Sequence, residues 1–280
     1  MQRGAESDRA LYLVDSNRKI KTVKLPAHSG FNSNPLMQPS RNTILYLNDG
    51  ALRVMAADSS GDRKLFDRDP GGCERVHHAA WSQSDPKVIL IACQVSETKL
   101  RLLVVGIDGK LIRRLDTGLH IVNDATLSPD GQTVLYRASS SPDSEVGTLY
   151  TLPIIGTGAP KQLIDYPAGT DAEPAWSPDG TKIAFRRRVP NGTLNGNDDI
   201  YVVKTDGSGA RAVPSTPAHD FKPIWSPDGK NLLIASNRES AVGGPGETYD
   251  LWLTRVRDGK VLARLGLKAK QVTRSFWTLR

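Results

Sequence analysis

Carboxylates recur at fixed distances before a repeated tryptophan. Asp171 and Glu173 stand five and three residues before Trp176, and Asp220 stands five residues before Trp225. Two carboxylates held close together can act as general acid and base, and carboxylates beside imidazoles can bind a transition metal. These positions are therefore the first candidates for chemistry, and the elements that hold them decide whether they meet.

The histidines also precede repeated positions by a few residues; they are His28, His77, His78, His120 and His219. Only His77 and His78 are close in sequence, and neighbouring side chains of a strand point to opposite faces. We therefore predict no metal and no cofactor. If a metal does bind, the candidate ligands are His77, His78, His120 and His219. Residues 195–199 lack a full EF-hand pattern, and their Asn and Gly residues are ordinary turn chemistry.

The two cysteines, Cys73 and Cys93, flank one predicted hairpin that turns between Ser82 and Lys87. Neighbouring strands bring such residues within bonding distance, so a disulfide is one hypothesis and a pair of small core residues is the other. A disulfide implies an oxidising compartment. The protein is therefore predicted to be exported or extracellular if the bond forms, and cytoplasmic otherwise.

Composition argues against several classes of protein. The 280 residues carry 37 Lys and Arg against 30 Asp and Glu, a formal net charge of +7, with Arg186, Arg187 and Arg188 as the densest basic run. A moderate, spread excess keeps a protein soluble, so we predict no nucleic-acid partner. The apolar runs are far shorter than the ~18 residues of a membrane helix, and the first nine residues lack the apolar stretch of a signal peptide, so no membrane contact is expected of this domain.

One motif repeats along the chain. Trp176 and Trp225 each open the sequence Trp-Ser-Pro-Asp-Gly, residues 127–131 repeat it with leucine first, and degenerate copies begin at Trp81 and Met37. Residues 276–278 look like one more start. A period of ~45 to 50 residues is typical of propeller blades. The tryptophans are expected to pack between adjacent blades.

Each repeat is predicted to form four short antiparallel strands. In Ser-Pro-Asp-Gly, proline presets φ at the first central position, aspartate tolerates the second, and glycine accepts a positive φ. Short β-branched runs flank this turn, and a second hairpin follows around the Asp-Gly pairs at 108–109, 206–207 and 258–259. Four such strands are the content of one propeller blade.

The ends of the chain complete a predicted count of six blades. Blades start near 37, 81, 127, 176 and 225, and residues 10–26 look like the second hairpin of a repeat that has no first half. Joined with residues 265–280, they would close the sixth blade from both termini and remove an open sheet edge. The expected fold is therefore all-β, a single six-bladed β-propeller over residues 1–280.

The Trp-Ser-Pro-Asp-Gly copies resemble those of the TolB-like family, a WD40-like group of β-propellers, over about residues 10–280. The resemblance implies a central channel and the binding of proteins, peptides or small ligands, sometimes beside a hydrolase domain. A looser resemblance, carried by residues 73–81, Cys93 and Trp277, is to propeller modules that actinobacteria attach to sensor kinases or exported proteins. The fold hosts many roles, so the function has to be argued from the site.

One face of this propeller is predicted to be rich in loops. The starts of the innermost strands share it with three long insertions, residues 139–147, 189–199 and 237–248, whereas the Ser-Pro-Asp-Gly turns lie on the opposite, flat face. The predicted channel mouth consists of residues three or five positions before each repeat start: Asn34, His78, Asp124, Asp171, Glu173, Asp220, Lys222 and Arg274. Two interpretations stay open, a ring that contacts a ligand and a solvated rim held by salt bridges.

The predicted function is recognition without catalysis. The sequence has no Gly-x-Ser-x-Gly elbow and no Gly-x-x-x-x-Gly-Lys phosphate loop. We expect the loop-rich face and the channel mouth to bind a protein, a peptide or a small ligand, with the chain as the sensor part of a larger protein among the options. The alternative is a propeller enzyme of the lyase or glycosidase type, which would use carboxylates, His78 or a metal at the same mouth.

Overall fold

The computed structural model of the chain describes residues 10–14, 20–24, 32–38, 42–66, 72–96, 99–119, 121–139, 147–156, 158–165, 169–188, 198–213, 218–239 and 249–266. Side chains are described from residue 36 onward, apart from residues 121 and 122. A segment suited to cross a membrane as a helix is not found in these ranges.

The described ranges form twenty-two β-strands. The first two, β1 (Ala10–Val14) and β2 (Ile20–Lys24), make an antiparallel hairpin. The other strands form five four-stranded antiparallel sheets, which we number as blades 1 to 5 in chain order.

The strands of each blade follow one another along the chain. Blade 1 contains β3 (Asn32–Met37), β4 (Thr43–Asn48), β5 (Ala51–Ala56) and β6 (Arg63–Lys64). Blade 2 contains β7 (Arg75–Trp81), β8 (Val88–Ser96), β9 (Lys99–Gly106) and β10 (Leu111–Leu115). Blade 3 contains β11 (Ile121–Leu127), β12 (Thr133–Ser139), β13 (Thr148–Pro153) and β14 (Lys161–Gln162). Blade 4 contains β15 (Thr170–Trp176), β16 (Lys182–Arg188), β17 (Asp198–Lys204) and β18 (Arg211–Ala212). Blade 5 contains β19 (Asp220–Trp225), β20 (Asn231–Ser236), β21 (Asp250–Arg255) and β22 (Val261–Arg264).

The first strand of each blade is the innermost one. Within a blade the strands are hydrogen-bonded in chain order, so the first strand is always at one edge. The first strands of consecutive blades, β3, β7, β11, β15 and β19, contact one another. This arrangement of small sheets packed side by side through one edge is that of an all-β propeller.

The predicted count of six blades is wrong, because the described residues form five. A sixth blade was to combine residues 10–26 with residues 265–280, but β1 and β2 form a two-stranded sheet of their own. A hairpin supplies only two of the four strands that a blade needs. The residue range 276–278, which was to provide the innermost strand, lies outside the described residues, whereas β22 belongs to blade 5.

The Ser-Pro-Asp-Gly turns have the geometry that their residue types predict. In blade 4, the backbone N–H of Ser177 donates to the carbonyl of Lys182 at 2.8 Å, and the backbone N–H of Lys182 donates to the Ser177 hydroxyl at 2.9 Å. The Ser177 hydroxyl donates to Asp179 at 2.6 Å, and Gly180 has a φ of 70°. The same bonds recur in blades 3 and 5. Each motif therefore fixes the hairpin that joins the first two strands of its blade.

The hydrophobic core lies between consecutive blades, and the repeated tryptophans are part of it. Trp81 and Trp225 belong to buried clusters that combine two neighbouring blades. The indole N–H of Trp225 donates to the carbonyl of Ala175 in blade 4 at 3.0 Å, and that of Trp81 donates to the carbonyl of Leu36 in blade 1 at 3.2 Å. Trp176 packs against the corresponding cluster, but among the described residues its buried indole N–H finds no acceptor. The tryptophans thus hold the blades in place as rigid spacers.

Candidate functional site

A β-bulge interrupts every innermost strand just before its repeated motif. The register shifts between Asn123 and Thr126 in β11, and equivalent shifts occur in the other four innermost strands. In blades 3, 4 and 5 the bulge holds Asp124, Glu173 and Lys222 at φ values of 52°, 54° and 51°. Residues other than glycine rarely adopt this left-handed backbone conformation. Bulges next to functional sites commonly change the direction of a side chain.

The bulge residues are linked from blade to blade. The backbone N–H of Glu173 donates to the Asp124 carboxylate at 3.2 Å, and the backbone N–H of Lys222 donates to the Glu173 carboxylate at 2.7 Å. The structure therefore brings together three of the predicted channel-mouth residues, midway along the innermost strands. These carboxylates satisfy backbone groups of the next blade, which is a structural task.

Glu173 is also close to a cation of its own blade. The Arg186 guanidinium lies 3.5 Å from the Glu173 carboxylate. Burial raises the pKa of Glu173, and the charge of Arg186 and the N–H of Lys222 oppose that rise. A carboxyl of raised pKa is a candidate proton donor, but this one already accepts a hydrogen bond from its neighbour.

The two aspartates at the other predicted positions form ion pairs. Asp171 makes a bidentate contact with Arg187, at 2.7 and 2.8 Å, and both side chains are buried. Asp220 contacts Arg238 at 3.1 Å. Burial raises the pKa of each aspartate, while its arginine acts in the opposite direction. Neither carboxylate is thus held toward open space as an unpaired acid or base.

Asp198 is the common partner of the two other arginines of the basic run, Arg186 and Arg188. Its buried carboxylate accepts hydrogen bonds from Arg186 at 2.8 Å and from Arg188 at 2.8 and 2.9 Å, and His219 lies 3.2 Å away. Burial alone would raise the pKa of Asp198, but the hydrogen bonds and charges of the two arginines bring it below its usual value. The basic run of the sequence is therefore largely neutralised in place.

Asp198 is not among the residues predicted from the sequence. Its role depends on the register of β16 and β17, in which Arg188 stands opposite Asp198, and this register is known from the structure and not from the sequence. Alternate residues of β16 then face the same side, so Arg186 and Arg188 reach Asp198 while Arg187 reaches Asp171.

The histidines do not assemble with carboxylates into a metal site within the described residues. His77 is exposed and bonds to Gln94 at 2.8 Å, His78 is half-buried in the β7 bulge, and His219 contacts Asp198. No group of three or more His, Cys, Asp or Glu side chains in the described ranges is placed to hold a metal ion. His28, His120 and residues 195–197 lie outside those ranges.

The other predicted mouth residues are only partly described. Asn34 lies in β3, where the backbone alone is given, and Arg274 lies outside the described residues. The central parts of the three long insertions, residues 140–146, 189–197 and 240–248, also lie outside them. The role of the mouth residues in binding stays a prediction.

Cys73 and Cys93 form a disulfide, with their Cα atoms 5.5 Å apart. The bond ties the segment before β7 to β8, at the end of blade 2 where its innermost strand begins, and both cysteines are buried in the core between blades 1 and 2. Of the two hypotheses for this pair, a disulfide and two free core residues, the structure supports the disulfide.

The comparisons with known proteins agree with this fold. The family described as the TolB beta propeller domain matches residues 85–261. The chain is similar to the structure of putative TolB from Agrobacterium tumefaciens, with a TM-score of 0.69 and 21% identity over 89% of this chain and 84% of that one. It is also similar to TolB from Acinetobacter baumannii, with a TM-score of 0.68 and 16% identity over 90% of this chain, but it spans only 58% of that chain.

Structures with other roles share the same architecture. An oligogalacturonate lyase in complex with manganese has a TM-score of 0.61 and 16% identity, over 90% of this chain and 70% of that one. A comparison with curated protein sequences finds no match. At identities this low, structural similarity shows the fold alone, and the function has to be argued from the site.

Proposed function

The chain belongs to the TolB beta propeller domain family, and on that basis we propose that it is a non-catalytic recognition module. Its loop-rich face and channel mouth bind a protein or a peptide. In this proposal the blades supply a rigid frame, and the loops at the starts of the innermost strands supply the contacts.

The observation that carries the proposal is the engagement of the mouth carboxylates. Asp171 and Asp220 are paired with arginines, and Asp198 accepts bonds from two arginines. Asp124 and Glu173 accept backbone N–H groups of the next blade. General acid–base catalysis needs a carboxyl within reach of a substrate proton, whereas these oxygens already hold the frame together.

The structural neighbours support a binding role as well. A propeller crystallised as part of a nidogen/laminin complex is similar to this chain, with a TM-score of 0.63 over 90% of it. That complex illustrates that the architecture can serve protein recognition, although its identity to this chain is only 11%. We therefore propose a protein or peptide as the partner of this chain.

The disulfide supports a proposal on location. A bond between Cys73 and Cys93 persists in an oxidising compartment, so we infer that the domain works outside the cytoplasm, as an exported module or as the sensing part of a larger protein. Thiol titration of protein isolated under alkylating conditions tests it. We expect no reactive thiol before reduction and both cysteines after it, and free thiols in the native protein would contradict this location.

The binding face can be tested by site-specific photo-crosslinking. A photoreactive amino acid replaces Glu74 or Lys99, which are exposed at the end of blade 2 where its innermost strand begins, and a control replaces Lys110, whose side chain is 85% exposed in a turn at the opposite end. In extracts of the source cells we expect the same protein or peptide adduct from positions 74 and 99 and none from position 110. An adduct from position 110 alone, or none from any position, contradicts the proposal.

The alternative is a propeller enzyme, and one observation favours it. Burial raises the pKa of Asp171, Glu173 and Asp220, as it does for many catalytic acids. One structural neighbour is an oligogalacturonate lyase with manganese. Turnover of oligogalacturonate with added Mn²⁺ tests this alternative: we expect none by the wild-type protein. Turnover that disappears in a folded Glu173→Gln variant would establish the enzyme.

A further inference from the structure

The face opposite the channel mouth, which was expected to be flat, contains a basic cleft between blades 4 and 5. Its volume is about 390 Å³, and five of the seven residues that line it are cationic: Lys182, Arg211, Lys230, Arg255 and Arg257, beside Gly229 and Val256. Lys182 and Arg211 come from blade 4, Arg255 ends β21 of blade 5, and the others come from the two turns of blade 5. The cleft is well separated from the mouth residues, because the strands run between the two faces.

The same positions can be identified in the other blades from their backbone hydrogen bonds. The N–H of Val256 donates to the carbonyl of Lys230, as Thr205 does to Thr181 in blade 4 and Ile154 does to Gln132 in blade 3. The carbonyl of Lys182 accepts from the serine of its turn, and Thr133 and Val88 occupy that position in blades 3 and 2. The residues at equivalent positions of the blades can therefore be compared directly.

Among the blade interfaces of the described residues, only that of blades 4 and 5 has a cation at all five positions. At the interface of blades 3 and 4 the five positions hold Thr133, Lys161, Thr181, Lys204 and Asp206. At the interface of blades 2 and 3 they hold Val88, Arg113, Gln132, Pro153 and Ile155. The same one of the five positions is cationic at both of these interfaces, because Arg113 and Lys161 stand where Arg211 does, and Arg113 also donates to a carbonyl of the next blade, that of Gly156, at 3.2 Å. At the other four positions folding of a blade does not require positive charge, so the concentration of charge there calls for another explanation.

The charges of the cleft are only partly neutralised. Asp258 pairs with Arg255 at 2.6 Å and lies 3.6 Å from Arg257. Arg211 donates to the carbonyl of Val256 at 2.7 Å, so its charge meets only a neutral acceptor. Within the described ranges, the ammonium groups of Lys182 and Lys230 make no ion pair.

Two further carboxylates lie near the rim of the cleft. Asp179 and Asp228 close the Ser-Pro-Asp-Gly turns, where each accepts bonds from a serine hydroxyl and a backbone N–H. These bonds, with smaller contributions from the charges of Lys182 and Lys230, lower the pKa of both aspartates. Counting Asp258 as well, five cations face three carboxylates, and those carboxylates are already hydrogen-bonded.

We propose that the basic cleft binds a small, multiply charged oxyanion that carries phosphate groups. Lysine and arginine side chains only donate hydrogen bonds, so the ligand must offer acceptors on several sides. A phosphate group concentrates up to two charges and several acceptor oxygens on one centre, and guanidinium groups match it bidentately. The volume lies within the usual range of small-molecule sites.

This ligand site is independent of partner binding at the channel mouth. Its failure would leave the proposed recognition function untouched, because different residues at the opposite end of the blades carry it. The probe that tests it is inorganic tripolyphosphate, titrated calorimetrically into the whole chain at low salt, where charge interactions are screened least.

Two charge-matched variants separate the cleft from net charge. The cleft variant is Lys182→Gln/Lys230→Gln/Arg257→Gln, none of whose side chains donates a hydrogen bond to the frame. The control is Lys87→Gln/Lys161→Gln/Lys204→Gln, which removes the same charge from equivalent exposed regions of other blades. We expect the cleft variant to lose affinity by about tenfold or more and the control by less than about twofold. Equal losses, or no binding by the wild type, overturn the proposal.

Two comparison ligands test its chemical class. Citrate carries several carboxylates instead of phosphates, and we expect it to bind more weakly than tripolyphosphate does. A short single-stranded oligonucleotide offers singly charged phosphodiesters, and we expect it to bind more weakly still. Tighter binding of citrate would overturn the choice of phosphate, and tighter binding of the oligonucleotide would overturn the choice of a small ligand.

Discussion

The two ends of the contact between blades 4 and 5 are both rich in arginine and lysine, but they use the charge differently. At the channel mouth, Arg186 and Arg188 bind the buried Asp198, and Arg187 binds the buried Asp171. At the opposite end, Lys182 and Lys230 line an open cleft, where no ion pair of theirs is found in the described ranges.

This contrast indicates that a concentration of like charge does not by itself make a binding site. The basic run at 186–188 is the densest in the sequence, yet its partners are internal. The cleft residues are scattered along the chain, and only the fold gathers them. Burial and pairing therefore distinguish charge that maintains the structure from charge that can meet a ligand.

Removing one member of the buried ion pair at the mouth should destabilise the protein most. Asp171→Ala leaves Arg187 buried without its bidentate partner, so we expect the free energy of unfolding to fall by about 3–5 kcal/mol. Urea unfolding measures the loss, with Arg257→Ala in the exposed cleft as the control. A loss no larger than that of the control would mean that the mouth charges are not structural.

Loss of the disulfide should be the next largest effect. It closes a loop with a sequence separation of 20, and a bond of this span restricts the unfolded chain by about 3 kcal/mol. We expect Cys73→Ala/Cys93→Ala to unfold at correspondingly lower urea concentration and to be indifferent to reductant. Reductant should lower the stability of the wild type toward that of the variant. A wild type that stays unaffected after complete reduction contradicts this prediction.

Two tryptophan substitutions test how much an interblade hydrogen bond contributes to stability between the two ends. Trp225→Phe removes an indole N–H that bonds to Ala175, whereas Trp176→Phe removes one without a described acceptor. Both changes remove the same atoms, so the Trp225 variant should be less stable than the Trp176 variant by about 1 kcal/mol. Equal midpoints in thermal unfolding would show that the bond between blades 4 and 5 contributes nothing.

A turn aspartate beside the cleft should contribute least to the stability. The Ser226 hydroxyl and the Lys230 N–H lower the pKa of Asp228 in the folded state. A lowered pKa adds stability that is complete above the pKa of the unfolded carboxyl and is lost as the pH falls through the folded value. Asp228→Asn keeps the acceptor oxygen but not the charge. Its melting temperature should therefore approach that of the wild type on acidification, and a gap that widens would contradict the assignment.

The local parts of the fold were predictable from the sequence because short-range chemistry determines them. Ser-Pro-Asp-Gly fixes its hairpin through bonds that run between Ser177 and Lys182, and the repeat of that motif locates the blades. The pairing of Cys73 with Cys93 followed, as one of two hypotheses, from their places on one hairpin. The count of blades did not follow, because pairing of β1 and β2 with distant strands is not encoded in their own alternation of residues.

The proximity of three predicted mouth residues followed from the repeat, whereas their contacts did not. Counting back from the start of the repeated motif located Asp124, Glu173 and Lys222, which the structure links from blade to blade, and their role in binding stays a prediction. Their positive φ values and backbone partners depend on bulges, and a strand pattern alone does not reveal an extra residue. The basic cleft depends on which residues of two blades meet, so it emerges only when equivalent positions of the blades are compared.

Urea unfolding of two doubly substituted proteins tests this distinction between the two ends. Arg186→Gln/Arg188→Gln removes two charges from around Asp198, whose side chain is 5% exposed, and Lys182→Gln/Lys230→Gln removes two from the cleft. The account predicts a loss of about 2–4 kcal/mol for the first protein, because a buried carboxylate loses its strongest partners, and a change within about 0.5 kcal/mol for the second. Equal losses, or a larger loss for the cleft protein, would contradict it.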